Sequence, residues 1–207
     1  MALPAGDVEL VQIMDAAFAD AARRAGEWLV CRPGCTQCCH GAFAINQLDV
    51  LRLGEGMAEL RRNDPRLAAE LERRAADWVA EFGAGFPGDS ETGLLGESVE
   101  EKERFEDYAN DAVCPALDPA TGRCDVYEWR PMTCRVFGPP VRTESPDGES
   151  GLGYCELCFA GASGEQIAEC EMPVPHEQEQ RLVERIAAPG QSIVAYALLR
   201  HDHPQKQ

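Results

Sequence analysis

The chain contains no long hydrophobic run. Glu, Asp, Arg or Gly soon interrupts every apolar stretch, and none approaches the roughly 18 apolar residues that are needed to span a bilayer. Near the start, no basic segment precedes an apolar one, so no secretory signal is visible. These absences predict a soluble protein of the cytoplasm.

Positive charge is also scarce. Lysine and arginine number 19 and aspartate and glutamate number 36, which gives a formal net charge of −17. Nucleic acids and anionic membranes attract proteins through clustered positive charge, so neither is expected as a partner. The sequence does not identify a protein partner.

Familiar catalytic motifs are missing as well. The chain has no glycine-rich nucleotide loop, no acid–base pair at catalytic spacing, no recognisable methyl-donor motif and no internal repeat. Its 207 residues suffice for one domain with a hydrophobic core of its own. Whether the protein is an enzyme stays open.

Helical periodicity is clear in the first part of the chain. Apolar positions at helical spacing predict a helix from Asp7 to about Gly26. Asn46 is the expected N-cap of a second helix that runs to about Arg62. Pro65 begins a third helix, which continues to Phe82.

Turn and helix signals organise the middle of the chain. Five glycines and a proline predict a loop over 83–98, and a charged helix should follow over about 99–110. The Asp118–Gly122 stretch predicts a chain reversal, so that Cys114 and Cys124 face each other.

The last third combines helices with a long loop. Pro131 opens a short helical turn, and residues 138–153 have the composition of a loop. Helices are expected over 177–187 and 191–200, followed by a frayed tail.

The predicted fold class is mainly α, with a small irregular, short-strand cysteine-rich segment, in a single metal-stapled domain. The organisation has three parts: an N-terminal helix over 1–30, a cysteine-cluster metal-binding domain over 31–138, and a segment over 139–207. The last segment begins with a loop that carries Cys155 and Cys158, and its C-terminal helices should pack on the same domain.

Ten cysteines are the most informative feature of the sequence. They form an early group, a ladder with nine residues in each gap, a pair and a single residue: Cys31, Cys35, Cys38 and Cys39; Cys114, Cys124 and Cys134; Cys155 and Cys158; and Cys170. An even number would suit five disulfides in an exported protein. In a reducing cytosol, such density is typical of metal or redox chemistry.

Spacing suggests how the early group could converge. A helical turn that begins near Cys35 would place Cys35, Cys38 and Cys39 on one face, and the Pro33-Gly34 bend could fold Cys31 over the same site. Seven or more candidate thiols are too many for one tetrahedral zinc ion. Either some are bystanders, or the site is an iron–sulfur cluster, or there are two centres.

Three motifs give the chain a family resemblance. They are Gly34-Cys35-x2-Cys38-Cys39-His40, then Cys114-Pro115-x-Leu117, and the stretch Gly122–Phe137 with its Tyr-x-x-Arg-Pro-x-x-Cys-Arg core. Over about residues 31–138 they resemble the YkgJ-like cysteine-cluster family, which is described as chelating zinc or iron.

The resemblance implies chelation of zinc or iron, and iron could form a 4Fe-4S cluster. Its implied ligands are Cys35, Cys38, Cys39, Cys114, Cys124 and Cys134. Three residues rather than two separate Cys31 from Cys35, which places Cys31 in a second tier of candidates with Cys155 and Cys158.

The later cysteines are compatible with several roles. Cys155-x2-Cys158 has the spacing of a metal knuckle and could complete the first site, hold a second ion with Cys170 or His176, or act as a redox pair.

Arg130 and Arg135 flank the ladder, where their charges would lower thiol pKa values. Arg130 could equally pair with Glu128 or Asp125. The roles of His40 and Cys170 stay open.

The sequence favours a cytoplasmic metal-binding protein with one multi-thiolate site. The alternative is an enzyme: an iron–sulfur redox enzyme, or a methyltransferase-like enzyme by similarity to flagellin lysine methylases with a related cysteine cluster. A third hypothesis, a disulfide-stabilised exported domain or a small interaction module, requires oxidised cysteines.

Overall fold

Helices dominate the structure, a computed structural model that describes residues 2–144, 148, 150–186 and 188–200. The helices in these ranges are α1 (Asp7–Ala25), α2 (Gln47–Asn63), α3 (Pro65–Phe82), α4 (Val99–Glu106), α5 (Met132–Arg135), α6 (Gly164–Glu169), α7 (His176–Ile186) and α8 (Val194–Leu199). None of them is both long enough and apolar enough to cross a membrane.

The strands in the same ranges form three separate antiparallel hairpins. They are β1 (Gly88–Asp89) with β2 (Leu94–Leu95), β3 (Leu117–Asp118) with β4 (Arg123–Cys124), and β5 (Val141–Glu144) with β6 (Ser150–Gly153). The predicted fold class, mainly α with short strands, is confirmed.

The chain divides into two compact units. The first unit consists of residues 34–131 with the described parts of 1–3 and 185–207, and the second consists of residues 4–33 with the described part of 132–184. The domain boundaries suggested by the sequence stay a prediction.

Helix caps explain where α2 and α3 begin. The Asn46 side chain accepts hydrogen bonds from the backbone N–H groups of Leu48 at 3.0 Å and Asp49 at 3.1 Å. Asp64 accepts from the N–H of Leu67 at 3.0 Å, directly before the proline that opens α3. These side chains satisfy donors that the first helical turn leaves without an intrahelical partner. Both predicted helix starts are confirmed.

The core of the first unit lies among α2, α3 and α8, which pack on one another. Its buried side chains include Ile45, Leu53, Met57, Leu71, Val126 and Leu198. Cys114 and Cys124 pack against this core from its edge. The apolar core therefore fixes the position of both ladder cysteines in this unit.

In the second unit, α1 packs on α5. The buried Arg135 of α5 donates to Asp15 of α1 at 2.7 Å. The helix ends at Ala25, where Gly26 takes a positive φ of 53°, so its predicted end is confirmed. The predicted helical turn that carries Cys134 is α5.

Two predicted helices are shorter than expected. The charged helix α4 ends at Glu106, and Ala109 takes a left-handed φ of 52°, which a right-handed helix does not accommodate. The last helix begins at Val194 rather than at 191, because Ser192 pairs with Ile45 through two backbone hydrogen bonds of 2.8 and 2.9 Å. The predictions for 187 and for the tail over 201–207 lie outside the described residues.

Two loop predictions are wrong in part. The stretch 138–153 contains the β5–β6 hairpin, which runs in register from Val141↔Gly153 to Glu144↔Ser150. The glycine-rich stretch 83–98 contains the short β1–β2 pair. In both stretches the paired strands are short and close together in the chain. The glycines and polar residues between them gave each stretch the overall composition of a loop.

The helical turn expected to begin near Cys35 is also wrong. The structure has a 3-10 turn over Gln37–Cys39, in which the Cys39 N–H donates to the Thr36 carbonyl at 2.8 Å. Such tight turns are short because their hydrogen-bond geometry is poorer than that of an α-helix. Cys35 therefore lies outside the turn, and the three cysteines do not share an α-helical face.

Candidate metal centre

A short backbone bridge holds Cys39 and Cys114 side by side. The Cys114 N–H donates to the Cys39 carbonyl at 2.8 Å, and the Gly41 N–H donates to the Ala112 carbonyl at 2.9 Å. Between these bonds, His40 and Val113 form an antiparallel pair. Directly opposed residues in such a pair have Cβ atoms about 4.5–5.5 Å apart, so the Cys39 and Cys114 sulfurs meet on one face.

The same alternation turns His40 away from the sulfurs. Successive side chains along an extended segment point to opposite faces, and His40 and Val113 are exposed where Cys39 and Cys114 are partly buried. His40 therefore lies beside the bridge but points away from the sulfurs, so its position does not favour a role as a metal ligand together with them.

The β3–β4 hairpin brings Cys124 back toward Cys114. Cys124 is in register with Leu117, and the Leu117 N–H donates to the Cys114 carbonyl at 3.0 Å. Asp118 closes the turn by accepting from the Gly122 N–H on its carbonyl at 2.9 Å and from the Thr121 hydroxyl on its carboxylate at 2.5 Å. The predicted reversal between the two cysteines is confirmed.

The early cysteine segment is seated on this hairpin. Gly122 has a φ of 67°, and a Cβ built on it would lie 3.4 Å from the Gly34 Cα and 3.5 Å from the Thr36 Cγ2. The segment 34–36 thus packs on the hairpin turn, with Cys35 inside it. Because residues 37–39 continue from this contact, Cys38 and Cys39 reach the same end of the hairpin as Cys124.

A sulfur–sulfur hydrogen bond between Cys38 and Cys39 shifts the pKa values of the two thiols in opposite directions. The Cys39 thiol donates to Cys38, which lowers the pKa of Cys38, and the charge of Arg130 lowers it further. The same hydrogen bond raises the pKa of Cys39, and burial and the neighbouring sulfurs of Cys38, Cys114 and Cys124 raise it further. Cys38 is therefore the sulfur that ionises first.

Cys114 and Cys124 hold their protons more tightly. Burial raises the pKa of Cys114 to about 12, and the nearby sulfurs of Cys124 and Cys38 add to the effect. Burial likewise raises the pKa of Cys124, against the charge of Arg130. These mutual effects connect four sulfurs, those of Cys38, Cys39, Cys114 and Cys124, into one electrostatic group, which we call the first sulfur group.

Arg130 lies close to the group, as the sequence suggested. Its guanidinium donates to the Tyr127 carbonyl at 2.9 Å and stacks 3.8 Å from the centre of the Tyr127 ring. Its positive charge lowers the pKa of both Cys38 and Cys124. The predicted influence of Arg130 on thiol ionisation is thus present in the structure.

Sequence analysis missed Arg74 of α3. Its guanidinium donates to the Pro115 carbonyl at 2.9 Å and to the Asp125 carboxylate at 2.6 Å, and its charge lowers the pKa of Cys114. A signal was available, because Arg74 lies three residues after Leu71 and so falls on the buried face of the helix. An arginine at that position needs a partner.

The structure divides the predicted ligands between the two units. Cys35, Cys38, Cys39, Cys114 and Cys124 lie in the first unit, whereas Cys134 lies in the second with the second-tier Cys31, Cys155 and Cys158 and with Cys170. The assignment of Cys134 to the same site as the others stays a prediction. None of the ten cysteines, all of which are described, forms a disulfide.

The donor set fits a thiophilic metal, although the side chains are not closed around an ion. Four cysteines match tetrahedral zinc and iron–sulfur sites. Across residues 2–144, 148, 150–186 and 188–200, no group of three or more His, Cys, Asp or Glu side chains could hold an ion as it stands. The raised pKa values of Cys39, Cys114 and Cys124 keep these three thiols protonated, so metal binding requires them to lose protons and the sulfurs to draw together.

Comparison with known proteins identifies the family. The model of the CxxCxxCC family, described as "Putative zinc- or iron-chelating domain", matches residues 30–147. The match covers more than half of the chain and includes both segments of the first sulfur group. The chain therefore belongs to this family. Neither a curated protein nor a solved structure matches it.

Proposed function

We propose that the protein binds zinc or iron through the thiolates of Cys38, Cys39, Cys114 and Cys124, with Cys35 as an adjacent fifth sulfur. The observation that carries this proposal is the backbone bridge between Cys39 and Cys114. It joins segments that are far apart in the chain and leaves their sulfurs on one face beside Cys124.

The nearby cations support a thiolate centre. Four thiolates and one divalent ion would carry a net charge of about −2, by the charges of the groups, in a chain whose formal charge is already −17. The charges of Arg130 and Arg74 lower the pKa of three of these cysteines. Both residues therefore favour the ionised sulfurs that a metal requires.

Cys134 remains a proposed ligand on the basis of the family resemblance alone. A six-cysteine set that includes Cys35 and Cys134 would exceed the four ligands of a zinc ion and would suit an iron–sulfur cluster with spare thiols. Identifying the metal in the purified protein distinguishes a four-ligand zinc site from an iron–sulfur cluster.

Anaerobic purification followed by elemental analysis tests the proposal. We expect at least one equivalent of zinc or iron per chain, with visible absorption if the metal is iron in a cluster. The double variant Cys114→Ser/Cys124→Ser should lose the metal of this site. His40→Asn is the matched control, because His40 adjoins Cys39 but faces away, and it should keep the metal. Full metal retention in the double variant would contradict the proposal.

A reducing compartment is part of the proposal. Thiolate ligands persist where glutathione and thioredoxin keep cysteines reduced, which supports a cytoplasmic location. Thiol counting on freshly lysed cells should find reduced cysteines, and a fully oxidised set would favour the exported-domain hypothesis.

A further inference from the structure

The second unit contains five cysteines that the first sulfur group does not use: Cys31, Cys134, Cys155, Cys158 and Cys170. Three of them lie together around one glycine and one turn. Cys155 and Cys158 follow residue 147, where the family match ends.

Cys155 and Cys158 are held in a reverse turn of knuckle form. The Cys158 N–H donates to the Cys155 carbonyl at 2.8 Å, which places the two side chains at the ends of one tight turn. Phe159, directly after the turn, has a φ of 59°, and it is one of two non-glycine residues with positive φ among those described. A left-handed residue of this kind costs free energy and persists where the surroundings impose it.

Gly138 brings Cys31 to this turn. A Cβ built on Gly138 would lie only 2.7 Å from the Cys31 sulfur, so the sulfur rests directly on the glycine backbone. The carbonyl of the same glycine accepts a hydrogen bond from the Cys155 N–H at 3.2 Å. With its φ of 116°, Gly138 is the residue type that this close approach requires.

A second contact fixes the early segment to the turn. The Phe159 N–H donates to the Trp28 carbonyl at 2.9 Å. Cys158 and Cys170 are buried in one apolar cluster with Ala25 and Phe159, and Leu29 and Cys155 pack against it. The Leu29 side chain also reaches Gly138, so the cluster is continuous with the contact of Cys31.

We propose that Cys31, Cys155 and Cys158 form a second metal site for a thiophilic divalent ion such as zinc, separate from the first sulfur group. The fourth ligand is Cys170, which is buried in the same apolar cluster as Cys158, with Cys155 packed against it. Each thiol ligand releases its proton to solvent as its sulfur–zinc bond forms, and the sulfurs draw in around the ion. The proposal does not depend on the function proposed for the first unit.

Zinc titration of the full-length reduced protein tests the second site, with native mass spectrometry counting bound ions. We expect two zinc ions on the unmodified chain, one on Cys155→Ser/Cys158→Ser, and one on Cys114→Ser/Cys124→Ser. Unchanged stoichiometry in Cys155→Ser/Cys158→Ser would overturn the second site alone. Unchanged stoichiometry in Cys114→Ser/Cys124→Ser would instead overturn the function proposed for the first unit.

Substitution of one exposed cysteine tests the second site in a variant that should still fold. Cys31 is exposed, so Cys31→Ser should keep the circular dichroism of the unmodified protein. We expect it to weaken binding of the second ion by at least the roughly 10- to 100-fold that loss of an outer-shell partner costs. Unchanged affinity for both ions would overturn the role of Cys31. Cys170→Ser should weaken binding of the second ion in the same way. Unchanged affinity for the second ion in this variant would overturn the four-sulfur site.

Discussion

At the scale of single residues, Cys38 differs from the neighbouring sulfurs in its charge at neutral pH. Its pKa is lowered by the thiol of Cys39 and by Arg130, whereas the pKa values of Cys39, Cys114 and Cys124 are raised. In the metal-free protein, Cys38 therefore supplies the first thiolate that an incoming ion meets. The remaining thiols lose their protons as the ion binds.

Alkylation kinetics test this order. At pH 7, iodoacetamide should modify Cys38 of the metal-free protein before Cys39, Cys114 and Cys124, because the thiolate is the reactive form. Peptide mass mapping after short exposure measures the order. In denaturant the four cysteines should react at similar rates, since their pKa values return toward about 8.5. Equal rates in the folded protein would contradict the assigned pKa directions.

Arg74 and Arg73 are adjacent on α3 and offer a matched pair. Arg74 bonds the Pro115 carbonyl and Asp125 with 13% of its side chain exposed, whereas Arg73 pairs with Glu70 and Asp77 at 58% exposure. Arg74→Gln should lower the free energy of unfolding by about 1–3 kcal/mol, because it leaves partly buried polar groups without a partner.

Arg73→Gln should leave the same quantity nearly unchanged, as is usual for exposed pairs. Urea denaturation of both variants gives the comparison. Equal effects would show that the Arg74 contacts do not stabilise the hairpin that carries Cys114 and Cys124.

At the scale of elements, two glycines of α2 have opposite roles. A Cβ built on Gly56 would lie 2.6 Å from the Trp129 ring, whereas a Cβ on Gly54 would meet nothing within 4 Å. Gly56 thus lets the helix approach Trp129 closely, near the start of the segment that carries Arg130. Gly54 has no such steric reason.

Alanine at each position tests this difference by thermal or urea unfolding. Gly54→Ala should raise the free energy of unfolding by about 0.5–1 kcal/mol, because glycine in a helix interior costs that much relative to alanine. Gly56→Ala should lower it by about 1–3 kcal/mol through overpacking. A stabilising Gly56→Ala would contradict the close packing of Trp129 on α2.

Local signals predicted the elements that they control. Asn46 and Pro65 are cap and first-turn residues whose effect is complete within one turn, and the structure begins α2 and α3 at those positions. The Asp118–Gly122 turn was equally local. The capping box of Ser163 and Gln166, which starts α6, carried the same kind of signal and was overlooked.

Features that depend on distant partners were not accessible from the sequence. The bridge of Cys39 to Cys114 and the pairing of Ser192 with Ile45 join residues far apart in the chain, and no periodicity encodes them. The 3-10 turn at Gln37–Cys39 replaced the predicted helical turn because Gly34 and Thr36 are held against Gly122. For the candidate site, the spacing of the cysteines identified the candidate ligands. Which of these cysteines lie together is determined by long-range packing, which the spacing does not encode.

At the scale of the whole molecule, the hydrophobic core of the first unit is formed by side chains other than its cysteines. Its buried aliphatic side chains lie among α2, α3 and α8, while the sulfurs lie in the segments near residues 35–41 and 112–126. Metal binding should therefore stabilise those segments more than the helices.

Hydrogen exchange after chelation measures this distribution. Removal of the metal should increase exchange in 35–41 and 112–126, while the amides of α2 and α3 stay protected and the far-ultraviolet circular dichroism changes little. Uniform loss of protection across the first unit would contradict a core that is independent of the metal.

The central claim is that sulfurs from distant segments bind one metal, and X-ray absorption of the purified protein tests it most directly. We predict a first shell of four sulfur atoms, at about 2.3 Å if the metal is zinc, and loss of the metal of that site in Cys114→Ser/Cys124→Ser. A first shell dominated by nitrogen or oxygen would contradict the claim.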